Sequence, residues 1–194
     1  HCMCKFDAPS SGAARVPATR GGSTVVWCTT PHVDTGAGLT HVIRLSLNGQ
    51  QFSAQLAQPA LFFFFGRLRV SSVSPSSGPM GGLTLVIVAG AQLGNGSHYR
   101  CLFGHFRSVN ASFDVASRTL ACFAPVATAH GSASVPLELT HNGQQYTADG
   151  ARYAFYDEPH LSHVLPVGGP TAGGSIVRMY GAYLGIGSDY RCRF

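Results

Sequence analysis

The chain has 194 residues and a net charge of +5, and only 11% of its residues are charged, against about 25% in an average soluble domain. With 45% apolar residues it is not a disordered, highly charged chain, and it lacks the Glu/Lys/Leu heptads of a coiled coil. No apolar run nears the roughly 20 residues of a membrane helix, and the basic residues are scattered, so neither a membrane span nor the clustered basic stripe of a nucleic-acid surface is expected.

In chain order, the first pattern is the alternation at 43–47. It turns Ile43, Leu45 and Leu47 inward and Arg44 and Ser46 outward. Asn48-Gly49 follows, in a stretch that recurs at 141–146. The run Phe62, Phe63, Phe64 and Phe65 reads as a strand that sends two rings into a core and two out of it. The outward pair is an assembly contact: it packs on the next stretch of chain across Gly66-Arg67-Leu68, or on another chain in a filament.

From 66 to 157 the pattern is short strands with turn signals between them. Strands are expected at 70–74, 83–89, 99–103, 119–124, 135–140 and 153–156. Residues 75–82 read as a turn, because Pro presets φ and Gly supplies positive φ. Residues 90–96 read as a loop. Asn142-Gly143 is the strongest short hairpin signal, with 144–147 starting the return strand. Alternation turns Tyr99, Cys101, Phe103, Leu120, Cys122, Ala124, Val135, Leu137 and Leu139 inward, and Pro136, Glu138 and Thr140 outward. No segment keeps a 3.6-residue period, so no helix is expected.

Self-similarity organises these pieces. Residues 78–103 align without a gap on 169–194, with about half the positions identical. Residues 47–52 align with 141–146, 27–31 with 121–125, and 4–6 with 101–103. The period is about 91 residues, the size of a small β-domain. The expected organisation is the end of one repeat at 1–65, a complete repeat at 66–157 and the start of a third at 158–194, a piece of a longer tandem array. Short segments near 66–69 and 157–160 would link the repeats. About seven antiparallel strands in some 90 residues make an immunoglobulin-type β-sandwich. Its usual buried Trp is missing, since Trp27 is the only Trp and adjoins a Cys.

The Ser-Pro-Ser-Ser-Gly-Pro turn at 74–79, the Cys-x-Phe-Gly of 101–104 and the Cys-x-x-Pro of 122–125 resemble the pattern of IPT/TIG repeats. These are the immunoglobulin-like (E-set) domains of plexins, of hepatocyte-growth-factor-type receptors and of algal and protist surface arrays. The Gly-, Ala- and Ser-rich style is most similar to algal flagellar-hair (mastigoneme-type) proteins. The third repeat departs from the pattern at 165–170, and the first has no visible opening motif. The resemblance implies an extracellular or cell-surface structural protein, a rod or fibre subunit of a flagellar or ciliary hair. Its partners would be further repeats of the same chain, other fibre subunits and glycans. The alternative is a receptor or adhesion ectodomain that uses the repeats as spacers. A third reading, an intracellular DNA-binding TIG module, would need a clustered basic loop, and the sequence has none.

Six cysteines bear on the compartment. Cys101/Cys122 and Cys4/Cys28 sit at equivalent repeat positions and face one core, so they read as disulfides. The bland alternative is buried reduced thiols. Cys192 matches Cys101 and Cys4, and its partner is expected beyond residue 194. Cys2 has no counterpart: it would bond upstream, bond another chain or compete for Cys28. Asn95-Gly96-Ser97 and Asn110-Ala111-Ser112 are N-glycosylation sequons, expected at loop or edge positions. The turn carrying Ser74, Pro75, Ser76, Ser77 and Pro79 is a candidate O-glycosylation segment, on the resemblance alone.

Catalytic and cofactor patterns are lacking. Nine His form no His-Glu-x-x-His, and no Gly-x-Ser-x-Gly elbow occurs. Gly94-x-Gly96 and Gly185-x-Gly187 do not continue into a phosphate loop. Asp157-Glu158 is the only adjacent acidic pair and reads as solvated linker. Cys2-x-Cys4 with His1 is a partial metal-ligand set, short of four ligands. Neither an enzyme nor a cofactor site is expected.

Overall fold

The computed structural model describes residues 2–7, 12–33, 38–54, 58–105, 107–127, 133–185, 187 and 189–194. It is all β, with no helix among the described residues. The chain divides into two compact units, His1–Arg67 and Leu68–Phe194.

In the first unit β1 (Met3–Asp7), β2 (Ala14–Arg20), β3 (Val26–Cys28), β4 (Leu39–Ser46) and β5 (Leu61–Phe64) form one antiparallel sheet ordered β3-β2-β1-β4-β5. Alternation along β1 sends Cys4 and Phe6 inward and Lys5 and Asp7 outward. Phe6 meets Phe62 and Phe64 edge-on, each at 6.1 Å between centroids, and His41 packs on Phe64 at 4.7 Å. On the outer face Asp7 takes Lys5 at 2.7 Å and Arg44 at 3.1 Å.

The second unit holds β6 (Arg69–Ser74), β7 (Ser77–Pro79), β8 (Leu85–Ala91), β9 (Arg100–Phe103), β10 (Arg107–Asp114), β11 (Thr119–Phe123), β12 (Ala133–Thr140) and β13 (Arg152–Tyr156). Their order is β6-β8-β11-β10-β9-β12-β13-β7. The run folds over at β10. Residues 107–110 of β10 pair with β9, and residues 111–114 pair with β11. One strand therefore belongs to both sheets of the sandwich. Between the sheets lie Val86, Val88, Leu93, Phe103, Leu120, Leu137, Leu139, Tyr153 and Phe155, all buried. The rings of Phe103, Tyr153 and Phe155 contact one another at 5.0–6.1 Å. A hairpin of β14 (His160–Leu165) and β15 (Arg178–Ala182) follows.

Several expectations need correction. The segment 75–82 is not turn throughout, because Ser77–Pro79 forms β7, parallel to β13. Ala154 N donates to Ser76 O and Met80 N to Tyr156 O, which holds this stretch extended at the sheet edge. The strand expected at 83–89 runs 85–91 instead, since Leu83 takes a φ of 63° and donates its N–H to Ala124 O. β2 and β10 were not anticipated. The return strand after Asn142-Gly143 is β13 from Arg152, not 144–147. Leu47 is 71% exposed and Ser46 is buried, the reverse of the alternation, because β4 ends at Ser46. Thr140 is likewise buried instead of outward. Leu68 is buried in the second unit's core and Arg69 opens β6, so the segment 66–69 is not all linker. His160 opens β14.

Candidate functional site

Two cystines brace the units. Cys101 on β9 is bonded to Cys122 on β11, and Cys4 on β1 to Cys28 on β3. In each case a crossing strand runs between the two halves. On β10, Val109 pairs with Cys101 and Ala111 pairs with Cys122. On β2, Val16 pairs with Cys4 and Ala18 pairs with Cys28. Each bond therefore straddles the place where one strand changes partner. There the crossing strand passes from one neighbour to the other, and the cystine ties those two neighbours directly. Cys2 and Cys192 are free. The Cys2 thiol lies 3.7 Å from Leu47 O, and the exposed Cys192 sulfur 3.9 Å from that of Met179.

A polar turn also recurs. The Thr140 hydroxyl accepts from Gly143 N at 3.1 Å and donates to Asn142 Oδ1 at 3.2 Å. Asn142 Oδ1 accepts from Gln144 N, and Asn142 Nδ2 donates to Gln145 Oε1. Thr147 N then donates to Leu139 O, while Thr147 Oγ1 accepts from Leu139 N. In the first unit Ser46, Asn48, Gly49, Gln50, Gln51 and Ser53 repeat each of these bonds, with Leu45 in the place of Leu139. Gly143 and Gly49 sit at φ of 74° and 80°, where a side chain would strain the backbone. The buried hydroxyl that replaces an outward side chain was missed by alternation. Its signal was the Ser/Thr two residues before Asn-Gly, a usual side-chain cap of a turn.

The sequons lie in different settings. Asn95 is exposed in the loop after β8, at a left-handed φ of 65°. Asn110 lies within β10, whose residues 107–110 pair with β9 and, among the described residues, with no strand on the other side, so it stands at an edge segment of that sheet with its side chain exposed. In the Ser-Pro turn Ser74 and Ser76 are exposed, while Ser77 is buried on β7 and is not open to a glycan. In the Phe run, Phe62 and Phe64 pack on Phe6, Phe63 is half-buried and Phe65 is only marginally exposed. The outward aromatic surface is therefore smaller than alternation implied.

Among the described residues the chemistry-bearing groups lie apart. Among the described residues no three His, Cys, Asp or Glu side chains are placed to hold a metal ion; His1, of the partial Cys2/Cys4 set, lies outside them. An open cleft runs past Ser71, Gln92, Asn95, Phe113, Ser117 and Arg118, and no carboxylate lines it. Near it, the Ser117 hydroxyl and Ala116 N hold the Asp114 carboxyl below its usual range. His141 is buried edge-on against Tyr99 at 5.5 Å, and burial pushes its imidazole below the ordinary value. This imidazole is a buried packing group beside Tyr99. The arrangement can brace, space and present surfaces.

Residues 68–155 match the family model for the IPT/TIG domain, a stretch that takes in β6 through most of β13. No curated protein matches the chain. Among solved structures, the Plexin A4 full extracellular region, domains 1 to 10, aligns over 91% of the chain at 14% identity with a TM-score of 0.55. A second Plexin A4 extracellular structure aligns over 97% at 17% identity with a TM-score of 0.44. The chain spans 17% and 25% of the lengths of those two chains. At such identities the first likeness speaks to fold alone: with the family match and the two-sheet architecture, the fold is an immunoglobulin-like β-sandwich.

Proposed function

We propose that this chain is part of the extracellular portion of a cell-surface receptor or adhesion protein, in which tandem IPT/TIG-type sandwiches act as non-catalytic spacers. The observation that carries the reading is the cystine across a strand crossing, present once in each unit with the same register. Such bonds persist in oxidising compartments and are rare in the cytosol. The recurring Ser/Thr–Asn–Gly turn supports a repeated module. Antibody staining of intact, unpermeabilised cells tests the reading. Surface signal is expected, and signal only after permeabilisation contradicts it.

A fibre subunit, on a flagellum or elsewhere, is the second reading. It draws on the exposed apolar side chains of the β14–β15 hairpin, among them Leu161, Leu165 and Tyr180. Sedimentation of the native protein over rising concentration separates the two. Growing oligomers favour the fibre, and a constant monomer favours the spacer.

A further inference from the structure

Asn110 occupies a place where the fold has no use for asparagine. Asn is depleted in strands, since its carboxamide competes with the backbone for hydrogen bonds. Yet Asn110 sits inside β10, paired with Arg100, and points outward. It lies between Val109 and Ala111, the two residues that pair with the halves of the cystine, so its side chain stands on the outer face behind that bond. Among the described residues its carboxamide has no hydrogen-bond partner. The equivalent place on β2 is Pro17, which pairs with Met3 as Asn110 pairs with Arg100. A residue with no donor and no carboxamide serves the fold there. Ser112, two residues on, shares the outward face of Asn110 and is exposed. Its hydroxyl reaches only the Ala121 carbonyl, at 3.4 Å. Asn95 differs: a left-handed φ of 65° is one that Asn tolerates well, so the backbone alone accounts for that residue.

We propose that Asn110 is an N-glycan acceptor, and that the glycan keeps the outer side of the β10 crossing in solvent. A β-linked sugar on this side chain meets open space, so the folded sandwich accommodates it without rearrangement. A glycan here also closes this face to lateral packing, and any association of the chain must then use another surface. The proposal rests on the extracellular reading, because the modification needs passage through the secretory pathway.

Glycopeptide mass spectrometry of the native protein, before and after peptide-N-glycosidase F, tests it in parallel with a non-reducing map of Cys101 and Cys122. The expected result is a hexosamine-containing mass on the Asn110 peptide, lost on digestion with conversion of Asn110 to Asp. In chain secreted from eukaryotic cells, Asn110→Gln and Ser112→Ala are both expected to abolish the glycan-dependent gel shift at this site. Ser112→Thr is expected to retain it, which separates loss of the acceptor from loss of folding. An unmodified Asn110 beside an intact Cys101–Cys122 bond overturns the site and leaves the extracellular reading standing. An unmodified Asn110 beside free thiols overturns both.

Discussion

Val109 and Ala111, two residues apart on β10, pair with opposite halves of one cystine: Val109 with Cys101 and Ala111 with Cys122. The bond thus holds β9 and β11 on either side of the strand that joins their sheets. It closes a loop with a sequence separation of 21, and that of Cys4–Cys28 has one of 24. In the chain-entropy model each constrains the unfolded chain by about 3 kcal/mol. Replacing Cys101 and Cys122 together by Ala is expected to lower the stability of the second unit by about that amount. Urea unfolding would read it as a lower midpoint, and an unchanged midpoint would contradict the bracing role.

The buried Thr140 hydroxyl is a structural group, not an outward polar side chain. Thr140→Ala leaves Gly143 N and Asn142 N without their acceptor and is expected to cost about 1–2 kcal/mol. Thr140→Ser keeps the oxygen, as Ser46 does in the first unit, and is expected to cost less. Denaturant titration of the pair checks this order.

Phe6 is the centre of the first unit's aromatic cluster, against Phe62 and Phe64. Phe6→Ala removes a fully buried ring and is expected to destabilise this unit by about 3–5 kcal/mol. Amide hydrogen exchange along β1, β4 and β5 should accelerate.

Gly90 faces the register shift between Val70 and Ser72, where a Cβ would collide with the Arg69 carbonyl oxygen. Gly181 on β15 repeats this against the His160 carbonyl oxygen on β14. Gly90→Ala meets backbone, which cannot rotate aside, and is expected to cost about 2 kcal/mol or more. Thermal unfolding measures it.

His141 gives the second unit an acid sensitivity. Burial holds its folded pKa below the unfolded value of about 6.5. Over the interval between the two values the unfolded chain binds the proton and the folded one does not. Its contribution is therefore complete above about pH 6.5 and is lost as pH falls through the interval. Stability of the chain should decline from pH 7 to pH 5, and His141→Phe should flatten that decline in urea midpoints measured across the range.

The sandwich was legible where side chains alternate between apolar and polar. Val135, Leu137 and Leu139 face the core, as do Cys101, Cys122 and Leu120. β10 escaped notice because its outward positions are Ser108, Asn110, Ser112 and Asp114, residues that read as loop. Its inward set of Val109, Ala111 and Phe113 was the available signal. β7 is three residues of Ser-Gly-Pro, too short for any period, and it is made a strand by β13 far along the chain. Ser46 and Thr140 escaped because alternation was carried to the strand end, where turn chemistry decides the side chain's place. The surface sites were legible only as motifs. Which of them sits on a strand face, as Asn110 does, and which is buried, as Ser77 is, depends on pairings between distant segments.

The central claim is that the two units are oxidised modules of the cell exterior. A non-reducing peptide map of the native protein, alkylated at the moment of lysis, tests it most directly. The account predicts Cys101 linked to Cys122 and Cys4 linked to Cys28. Alkylated thiols at these four positions would contradict it.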